Sequence, residues 1–262
     1  WAYTGTGTAS SSTTSVDLTA TGAGNLTVTA TNSCGTSSAQ SKAITISTPT
    51  KYVSTTGSNS NDGDASNSAY LTLEYALTQV SGSGCYNISI AAGTYTDDLL
   101  DLTSSHDGVS IIGAGMGSTI FDQSGTGDHF MEIKGSATNI TISDMTIKDY
   151  NEDDSGGAID ITSSGTITIE DVHFDNNSTG SYEDMGGALF ISSSSTLTLD
   201  RCKFSNNTSG SSSEGSTIYS SGDITIQNCL FYDNNCLDTD GYGGSGTGDV
   251  QIMSGTANIM NC

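Results

Sequence analysis

One short pattern recurs five times between Asn139 and Cys262, and it constrains the fold more than any other feature of the sequence. The first copy reads ITISDMTI from Ile140, with apolar and polar residues alternating as in a half-buried β-strand. The second apolar residues of the copies lie 27, 30, 27 and 33 residues apart, at Ile142, Ile169, Leu199, Ile226 and Ile259. A period in this range indicates a solenoid in which each repeat forms one coil.

A second apolar pair accompanies each copy, which predicts a second strand facing the same interior. The pairs are Met131 with Ile133, Ile159 with Ile161, Leu189 with Ile191, Ile218 with Ser220 in the partner position, and Val250 with Ile252. The Ile or Phe that ends the first pattern adds a third inward row. We therefore predict a parallel β-helix with three short strands in each coil, and loops of variable length at one corner explain the unequal steps.

Stacking the coils about 4.8 Å apart places equivalent residues over one another. The predicted inward columns are Met145, Val172, Cys202, Cys229 and Cys262, and then Ile147, Phe174, Phe204 and Phe231. The predicted polar columns are Asn177, Asn207 and Asn234 at a turn, and Asp144, Asp171 and Asp200 on the outside. The column cysteines are expected to be buried free thiols, because parallel Cβ vectors are poorly aimed for a disulfide.

The chain ahead of the coils divides around Pro49, the only proline. Residues 1–48 are rich in Gly, Thr and Ser, and alternation at Leu26–Ala30 and at Ala43–Ile46 predicts strands. We interpret 49–51 as a linker, since proline stiffens a junction and cannot donate to a sheet ladder. Residues 52–262 are then the β-helix.

One amphipathic helix is predicted over Tyr70–Val80, where apolar residues recur at helical spacing. Those residues are Leu73, Ala76, Leu77 and Val80. The open end of a solenoid exposes unpaired backbone and apolar core, so a helix at this place would cover it.

Acidic residues outnumber basic ones by 29 to 6, which gives a formal net charge of −23. Such a surface disfavours nucleic acid and anionic membranes as partners, because repulsion acts before contact forms. It favours solubility and cations such as calcium. No stretch reaches the apolar length of a membrane span. The sequence therefore predicts an all-β protein that neither binds nucleic acid nor inserts into a membrane.

The loop ahead of the predicted helix is the candidate metal site. Asn59, Asn61, Asp62 and Asp64 offer alternating oxygen ligands in a loop that contains Gly63. Calcium takes about six to eight oxygens from flexible loops, which makes these four side chains a candidate calcium site. A second acidic corner lies at 151–154. The alternative for both is an acidic loop that is only solvated.

Two repeated motifs resemble a known family. GGAI at Gly156 and GGAL at Gly186 alternate with FxxN at Phe174, Phe204 and Phe231. This alternation resembles the repeats of chlamydial polymorphic outer-membrane proteins and related bacterial adhesins. The fourth coil departs from it, because Gly215-Ser216-Thr217 replaces GGA.

The N-terminal part carries two further resemblances. Val28–Ser37 is similar to the closing strands of PKD-like and other Ig-like modules. The strand, loop and helix of 51–80 resemble the N-terminal cap of right-handed parallel β-helix proteins, including the pectate-lyase-like superfamily. Together these resemblances imply a partial Ig-like β-sandwich followed by a right-handed parallel β-helix.

The resemblances also imply a role. They indicate a segment of a large Bacteroidota-type cell-surface adhesin that is exported by type IX secretion and acts outside the cell. Its partners would be extracellular glycans or surfaces and neighbouring modules of the same chain. The sequence begins at Trp1 and ends within a repeat, so we expect it to be a piece of a longer protein.

Catalysis is the alternative, because many right-handed β-helices cleave pectin-like polymers. A lyase needs a basic proton acceptor, and a hydrolase needs two carboxylates at a set separation. The basic residues are Lys42, Lys51, Lys134, Lys148, Arg201 and Lys203, of which Arg201 and Lys203 are expected to point outward beside Asp171. The aspartates follow the pattern of a turn ladder, and His106, His129 and His173 occupy unrelated positions in the repeat.

We predict a non-catalytic adhesin or stalk segment with no catalytic residues. Binding would fall to the corner loops Ser178–Met185, Thr208–Glu214 and Leu237–Gly246, since stacked coils form a rigid scaffold for them. A polysaccharide lyase or hydrolase is the alternative function. A flat threonine surface of the ice-binding kind is a third, although Asp223 interrupts the threonine array.

Overall fold

The computed structural model forms two compact units, Trp1–Thr48 and Pro49–Cys262. The residues it describes are 2–4, 7–11, 16–20, 24–29, 31–32, 34–44, 48–82, 84–123, 128–152, 155–180, 185–192, 194–209, 216–236 and 248–262.

The first unit is built from antiparallel strands. Gly24–Val28 pairs with Ala2–Tyr3 on one side and with Gln40–Ile44 on the other. The further antiparallel pairs are Gly7–Ser11 with Val16–Ala20, and Thr31–Asn32 with Gly35–Thr36. The alternating segments around Leu26 and Ala43 thus lie in strands, while the assignment of this unit to a PKD or Ig-like module stays a prediction.

The second unit begins with a strand where the sequence analysis placed the linker. Thr50–Val53 pairs in parallel with Asn87–Ile90, and the Pro49 carbonyl accepts the Asn87 N–H at 2.9 Å. Pro49 can stand at the start of this strand because the ladder uses its carbonyl and does not need the missing N–H. The first coil therefore includes Thr50 and Lys51.

The predicted helix is confirmed at Leu73–Val80. Thr72 caps its N-terminus by accepting the Tyr75 N–H at 3.2 Å, which satisfies one of the unpaired donors of the first turn. All four apolar residues predicted to face inward are buried in the core. In the described part of the chain, no helix is long and apolar enough to cross a membrane.

The remainder of the second unit is a β-solenoid whose coils stack through three sheets of parallel strands. The first sheet carries two faces of the coil, formed by Thr50–Val53, Asn87–Ile90, Gly93–Tyr95, Ser110–Ile112, Thr119–Asp122, Ile140–Lys148, Thr166–Asp175, Thr196–Asp200, Lys203–Ser205, Asp223–Gln227, Leu230–Tyr232 and Ala257–Met260. The second sheet carries the third face, formed by Leu100–Leu102, Met131–Ile133, Ile159–Ile161, Leu189–Ile191, Ser216–Ser220 and Gly248–Ile252. The third sheet is short and leads into the variable loops, with strands Asn151–Glu152, Ser178–Thr179, Thr208–Ser209 and Asn235–Cys236.

Two short 3-10 helices complete the described secondary structure. Ser66–Ser68 lies in the loop ahead of the α-helix, and Ser104–His106 follows the first strand of the second sheet.

The corners between faces are made by single residues in the left-handed region, where Asp and Asn are the best-tolerated non-glycine residues. One corner uses Asp144, Asp171, Arg201, Asn228 and Asn261, with φ from 52° to 60°. The next corner uses Asp149, Asn176, Asn206 and Asp233, with φ from 55° to 61°. The polar residue at these places in each repeat is therefore a backbone requirement of the coil.

This geometry corrects one prediction. Asp200 pairs in register with Glu170 and Gln227, so it does not stack with Asp144 and Asp171. Arg201 takes the third corner position in its place. The error came from reading the aspartates as one column when the third copy of the repeat carries its acid one position earlier.

The inward columns are confirmed. Met145 pairs with Val172, and Cys202 and Cys229 continue this column as buried free thiols, with Cys262 exposed at its end. The rings of Phe174, Phe204 and Phe231 stack with centroids 5.0 and 4.8 Å apart and planes within 8°. These stacked rings and the aliphatic rows fill the interior of the coils.

The asparagine column is also confirmed, and it continues over three coils. The Asn177 amide donates to Asn207 Oδ1 at 3.1 Å, and the Asn207 amide donates to Asn234 Oδ1 at 3.0 Å. Each amide also donates to a backbone carbonyl, that of Ile147 for Asn177 and that of Phe174 for Asn207. The turns at Asn177 and Asn207 are therefore each held by the asparagine side chain of the next coil.

Candidate functional site

The four predicted calcium ligands lie in one well-packed loop between the first strand and the α-helix. Asn59 Oδ1 accepts the N–H groups of Leu71 and Thr72 at 2.9 and 3.3 Å. Asn61 Nδ2 donates to the Ala69 carbonyl at 2.8 Å. The structure thus brings these side chains close together, and it uses the two asparagines to hold the loop against the helix N-terminus.

The two aspartates of the loop are engaged as well. Asp62 Oδ1 accepts Ser68 Oγ at 2.7 Å and the Asp64 N–H at 3.0 Å, and these hydrogen bonds lower the pKa of Asp62. Asp64 Oδ1 lies 2.7 Å from Lys51 Nζ, which also donates to the Asp62 carbonyl at 2.8 Å. An ammonium group therefore occupies the position between the acidic residues that a cation would take.

Calcium binding by this loop stays a prediction. Burial opposes the charge of Lys51, but hydrogen bonds to Asp64 and Tyr70 outweigh it and raise the pKa of Lys51. A metal ion would have to displace this ammonium. Among the described residues, no group of three or more His, Cys, Asp and Glu side chains has the geometry of a metal site. Asp153 and Asp154 of the second acidic corner lie outside the described residues.

Most of the basic side chains are held in ion pairs on the coil surface. The pairs join Lys51 with Asp64, Lys134 with Asp101 and Glu132, Lys148 with Asp122 and Asp149, and Arg201 with Glu170, Asp171 and Asp200. Hydrogen bonds to these carboxylates raise the pKa of Lys134, of Lys148 and of Arg201. Arg201 thus lies outward beside Asp171 as predicted, while Lys203 lies on the next face, in register with His173.

His173, Ser205 and Asp175 form a connected cluster that the sequence did not reveal. Ser205 Oγ donates to Asp175 Oδ1 at 2.6 Å, and His173 Nε2 lies 2.8 Å from the same oxygen of Ser205. Because the single serine proton goes to the carboxylate, the histidine donates and cannot act as a base toward Ser205. Ser205 is also buried. The cluster therefore links adjacent coils and does not form a nucleophile.

The three predicted binding loops are only partly described. The strands that lead into the first two, at 178–179 and 208–209, belong to the third sheet and stack in register. Residues 181–184, 210–214 and 237–246 lie outside the described residues. The structure thus places the starts of these loops at one corner of neighbouring coils.

The outward threonine rows also stack. Thr141, Thr168, Thr198 and Thr225 are in register, followed by Asn258 in the last coil. Asp223, which interrupts the flanking row, accepts the Thr256 N–H at 2.7 Å. Asp223 thus joins its own coil to the next one, as the paired strands of this face also do.

A stacked pair of aromatic residues escaped the sequence analysis; by strand alternation both point away from the coil interior, and Tyr219 is nevertheless buried while Phe190 is half-buried. Phe190 and Tyr219 take the middle position of adjacent strands in the second sheet, and their rings stack at 5.5 Å with planes 3° apart. Asp160 and Glu132 continue the same outward row. An aromatic residue at the middle position of two consecutive copies, Leu189-Phe190-Ile191 and Ile218-Tyr219-Ser220, is the signal that could have revealed this pair.

A cavity between the α-helix and the first strand of the second sheet is the other missed feature. It has a volume of about 380 Å³. Its lining includes buried Leu77, Leu100 and His106, and exposed Glu74, Leu99 and Asp101. The helix was predicted, but the packing of its outer face beside a later strand depends on coil geometry that the repeat pattern does not contain.

The chain belongs to the right-handed β-helix family, whose family model, described as a right handed beta helix region, matches residues 100–262. A solved rhamnogalacturonan lyase is similar to this chain with a TM-score of 0.42 and 14% identity, over 80% of this chain and 62% of that one. The chain thus spans less than two thirds of the lyase's length, and a likeness this distant carries no argument about activity. No match was found among curated proteins.

Proposed function

We propose that this chain is a non-catalytic adhesin or stalk segment of a large secreted bacterial protein that acts at the cell surface. The right-handed β-helix fold occurs in adhesins and in polysaccharide lyases, so the choice rests on side-chain chemistry. The observation that carries the proposal is the pairing of four basic side chains, Lys51, Lys134, Lys148 and Arg201, with carboxylates. This pairing supports a scaffold over a lyase, which needs a free base.

A lyase abstracts a proton with a base that must be neutral at the working pH, which requires a lowered pKa when the base is a lysine. The pKa values of Lys51, Lys134 and Lys148 are raised instead, because each ammonium group is hydrogen-bonded to carboxylate oxygens. Arg201 is likewise held by three acidic residues. These basic groups form ion pairs on the surface of the chain, which favours a scaffold over an enzyme.

The scaffold supports binding through the corner loops at 178–185, 208–214 and 237–246. The stacked columns hold the third sheet in register at the root of these loops, and rigid elements that present variable loops are the usual architecture of binding sites. We propose glycans or other surface ligands as the partners. We also propose that 1–48 closes a PKD or Ig-like module and that type IX secretion exports the whole protein.

Two assays test the proposal together. The protein is incubated with polygalacturonate and rhamnogalacturonan while ultraviolet absorbance follows any unsaturated product, and it is applied to an array of bacterial, plant and animal glycans. We expect no turnover and binding that is lost when the loop at 237–246 is shortened. Accumulation of unsaturated product, abolished by replacing a basic residue of the coil, would establish the lyase in place of the adhesin.

A further inference from the structure

The cavity beside the α-helix combines an apolar base with an acidic rim. Leu77 and Leu100 are buried at its base, and Glu74 and Asp101 are exposed around it. Its volume of about 380 Å³ falls in the range of small-ligand pockets. A ligand that fits this lining needs an aliphatic part and a positive charge.

The charges around the cavity favour a cation. Lys134 pairs with Asp101 at 2.7 Å, but it is shared with Glu132 at 2.6 Å, so one ammonium faces two carboxylates. Asp97 lies behind Glu74 and accepts its N–H at 3.0 Å; burial, together with the negative charge of Glu74, raises the pKa of Asp97. The cavity therefore lies in a field of unbalanced negative charge.

His106 does not supply the missing positive charge. Its Nδ1 accepts the Thr103 N–H at 3.2 Å, and its ring also bonds the Leu77 carbonyl. Burial lowers the pKa of His106, which keeps the ring neutral at neutral pH despite the carboxylates of Asp101 and Asp107 nearby. A cation in the cavity would have to come from a ligand.

Leu99 is the feature that packing does not explain. Its φ is 50°, and it is the one apolar side chain among the described non-glycine residues with positive φ. Its side chain is 54% exposed, so it does not contribute to the core. A leucine held in a disfavoured conformation without burial indicates a role outside folding, and here the side chain forms one wall of the cavity.

From these observations we propose that the cavity binds a protonated alkylamine of about four to five carbons, the chemistry of a lysine side chain. The aliphatic stem would lie against Leu77, Leu99 and Leu100, and the ammonium group would lie at Glu74 and Asp101. This site is separate from the corner loops. It can therefore exist whether or not the adhesin proposal holds.

The test is a titration monitored by NMR of the leucine methyl groups. Three probes separate the contribution of the aliphatic stem from that of the charge. n-Pentylamine carries the stem and the charge, 1-pentanol carries the stem alone, and methylamine carries the charge alone. We expect n-pentylamine to shift the methyl signals of Leu77, Leu99 and Leu100 with a dissociation constant of roughly 1 mM, and the other two to bind at least about fivefold more weakly. Equal binding of 1-pentanol would overturn the charge selection.

Two variants locate the site. Glu74→Gln should weaken n-pentylamine binding about fivefold, whereas Glu170→Gln, at a distant ion pair, should leave it unchanged. Leu99→Asn should weaken binding at least about threefold without lowering the melting temperature, because asparagine suits the left-handed region. Leu71→Asn removes another exposed leucine and serves as its control. Shifts that spread over the acidic surface and ignore both variants would refute the site.

A lysine derivative distinguishes two sources of the ligand. Nα-Acetyl-lysine N-methylamide reproduces a lysine within a protein chain. If it shifts the same methyl groups as n-pentylamine, the cavity takes a side chain of a protein partner. If only n-pentylamine does so, the cavity takes a free amine.

Discussion

The coils from Asn139 onward and the N-terminal cap at 50–80 satisfy their polar groups in different ways. In the coils, one contact is repeated: the Asn207 side chain accepts from the residue one coil before it and donates to the residue one coil after. In the cap, each contact is made once, as when Asn59 holds the helix N-terminus or the Tyr70 hydroxyl donates to the Asp62 carbonyl at 2.6 Å.

The difference has an energetic consequence. Removing a member of a stack leaves buried groups unpaired in the neighbouring coils. Removing a member of the cap leaves groups that have second partners or face solvent. We therefore expect substitutions in the coils to cost several times more stability than similar substitutions in the cap, and the predictions below test this in order of expected size.

The largest effect is expected for Phe204→Ala. Phe204 is fully buried between Phe174 and Phe231, so its removal leaves a cavity and ends two ring stacks. We expect a loss of about 3–5 kcal/mol in the free energy of unfolding, measured by urea denaturation. Phe190→Ala breaks the outward stack with Tyr219 and should cost only about 1–2 kcal/mol. Equal losses of unfolding free energy for the two variants would show that the interior stack stabilises the fold no more than the stack with Tyr219 does.

The second-largest loss of stability is expected for Asn207→Ala. It removes the acceptor of the Asn177 N–H and the donor to the Phe174 carbonyl, both inside the turn. Two buried polar groups left without partners cost about 2–5 kcal/mol, measured by the same denaturation. Asn206→Gly, on the exposed side of the same turn, keeps the left-handed conformation and should cost under about 1 kcal/mol. A similar cost for both variants would argue against the asparagine ladder.

The comparison also explains what the sequence could predict. In the coils, a residue's neighbours are its equivalents in the next copy, so alignment of the copies predicted the columns of Val172, Phe204 and Asn207. The prediction failed at Asp200 because the aspartates were matched by residue type and not by position in the repeat. The aligned position is that of Arg201, which occupies the left-handed corner without the usual Asp or Asn.

In the cap, the sequence predicted the local structure but not the contacts between distant segments. Its helix was predictable from the spacing of Leu73, Ala76 and Leu77, since periodicity is local. The pairing of Lys51 with Asp64 and the cavity at Leu99 were not, because they join segments with no repeated relationship. The same oxygen-rich residues that suggested calcium are the ones that fold the loop.

Within the cap, Tyr70→Phe should cost about 1 kcal/mol of unfolding free energy. The hydroxyl hydrogen bonds to the Asp62 carbonyl and to Lys51 are lost, but that carbonyl keeps Lys51 Nζ as a donor at 2.8 Å, and Lys51 keeps Asp64. Denaturation midpoints of the native protein and the variant measure the difference. A loss as large as that of Asn207→Ala would remove the distinction between cap and coils.

Lys51→Met tests the calcium prediction in the same loop. The substitution removes the ammonium from Asp64 and the Asp62 carbonyl while keeping the stem of the side chain. We expect calorimetric titration to show calcium binding at least about threefold tighter for the variant than for the native protein, since the ion no longer competes with a resident cation. Asn61→Ala in the variant background should reduce this binding. Absence of heat in both proteins would eliminate the loop as a calcium site.

The smallest effect is expected for Arg201→Asn, at the corner where the coil departs from its own rule. Arg201 has a φ of 54° where the equivalent residues of the other coils are Asp144, Asp171, Asn228 and Asn261. Asparagine relieves this conformation and can extend the amide contacts that join Asn228 to Asn261 at 3.2 Å. The ion pairs that are lost are exposed and screened by salt.

At 0.5 M NaCl we therefore expect a melting temperature equal to or about 2 °C above that of the native protein. At low salt the gain should shrink, because one positive charge has left a chain of net charge −23. Arg201→Lys keeps the charge and the unfavourable backbone, so it should show no gain at either salt concentration. A lower melting temperature for Arg201→Asn in high salt would mean that the arginine ion pairs, and not the backbone, determine stability at this corner.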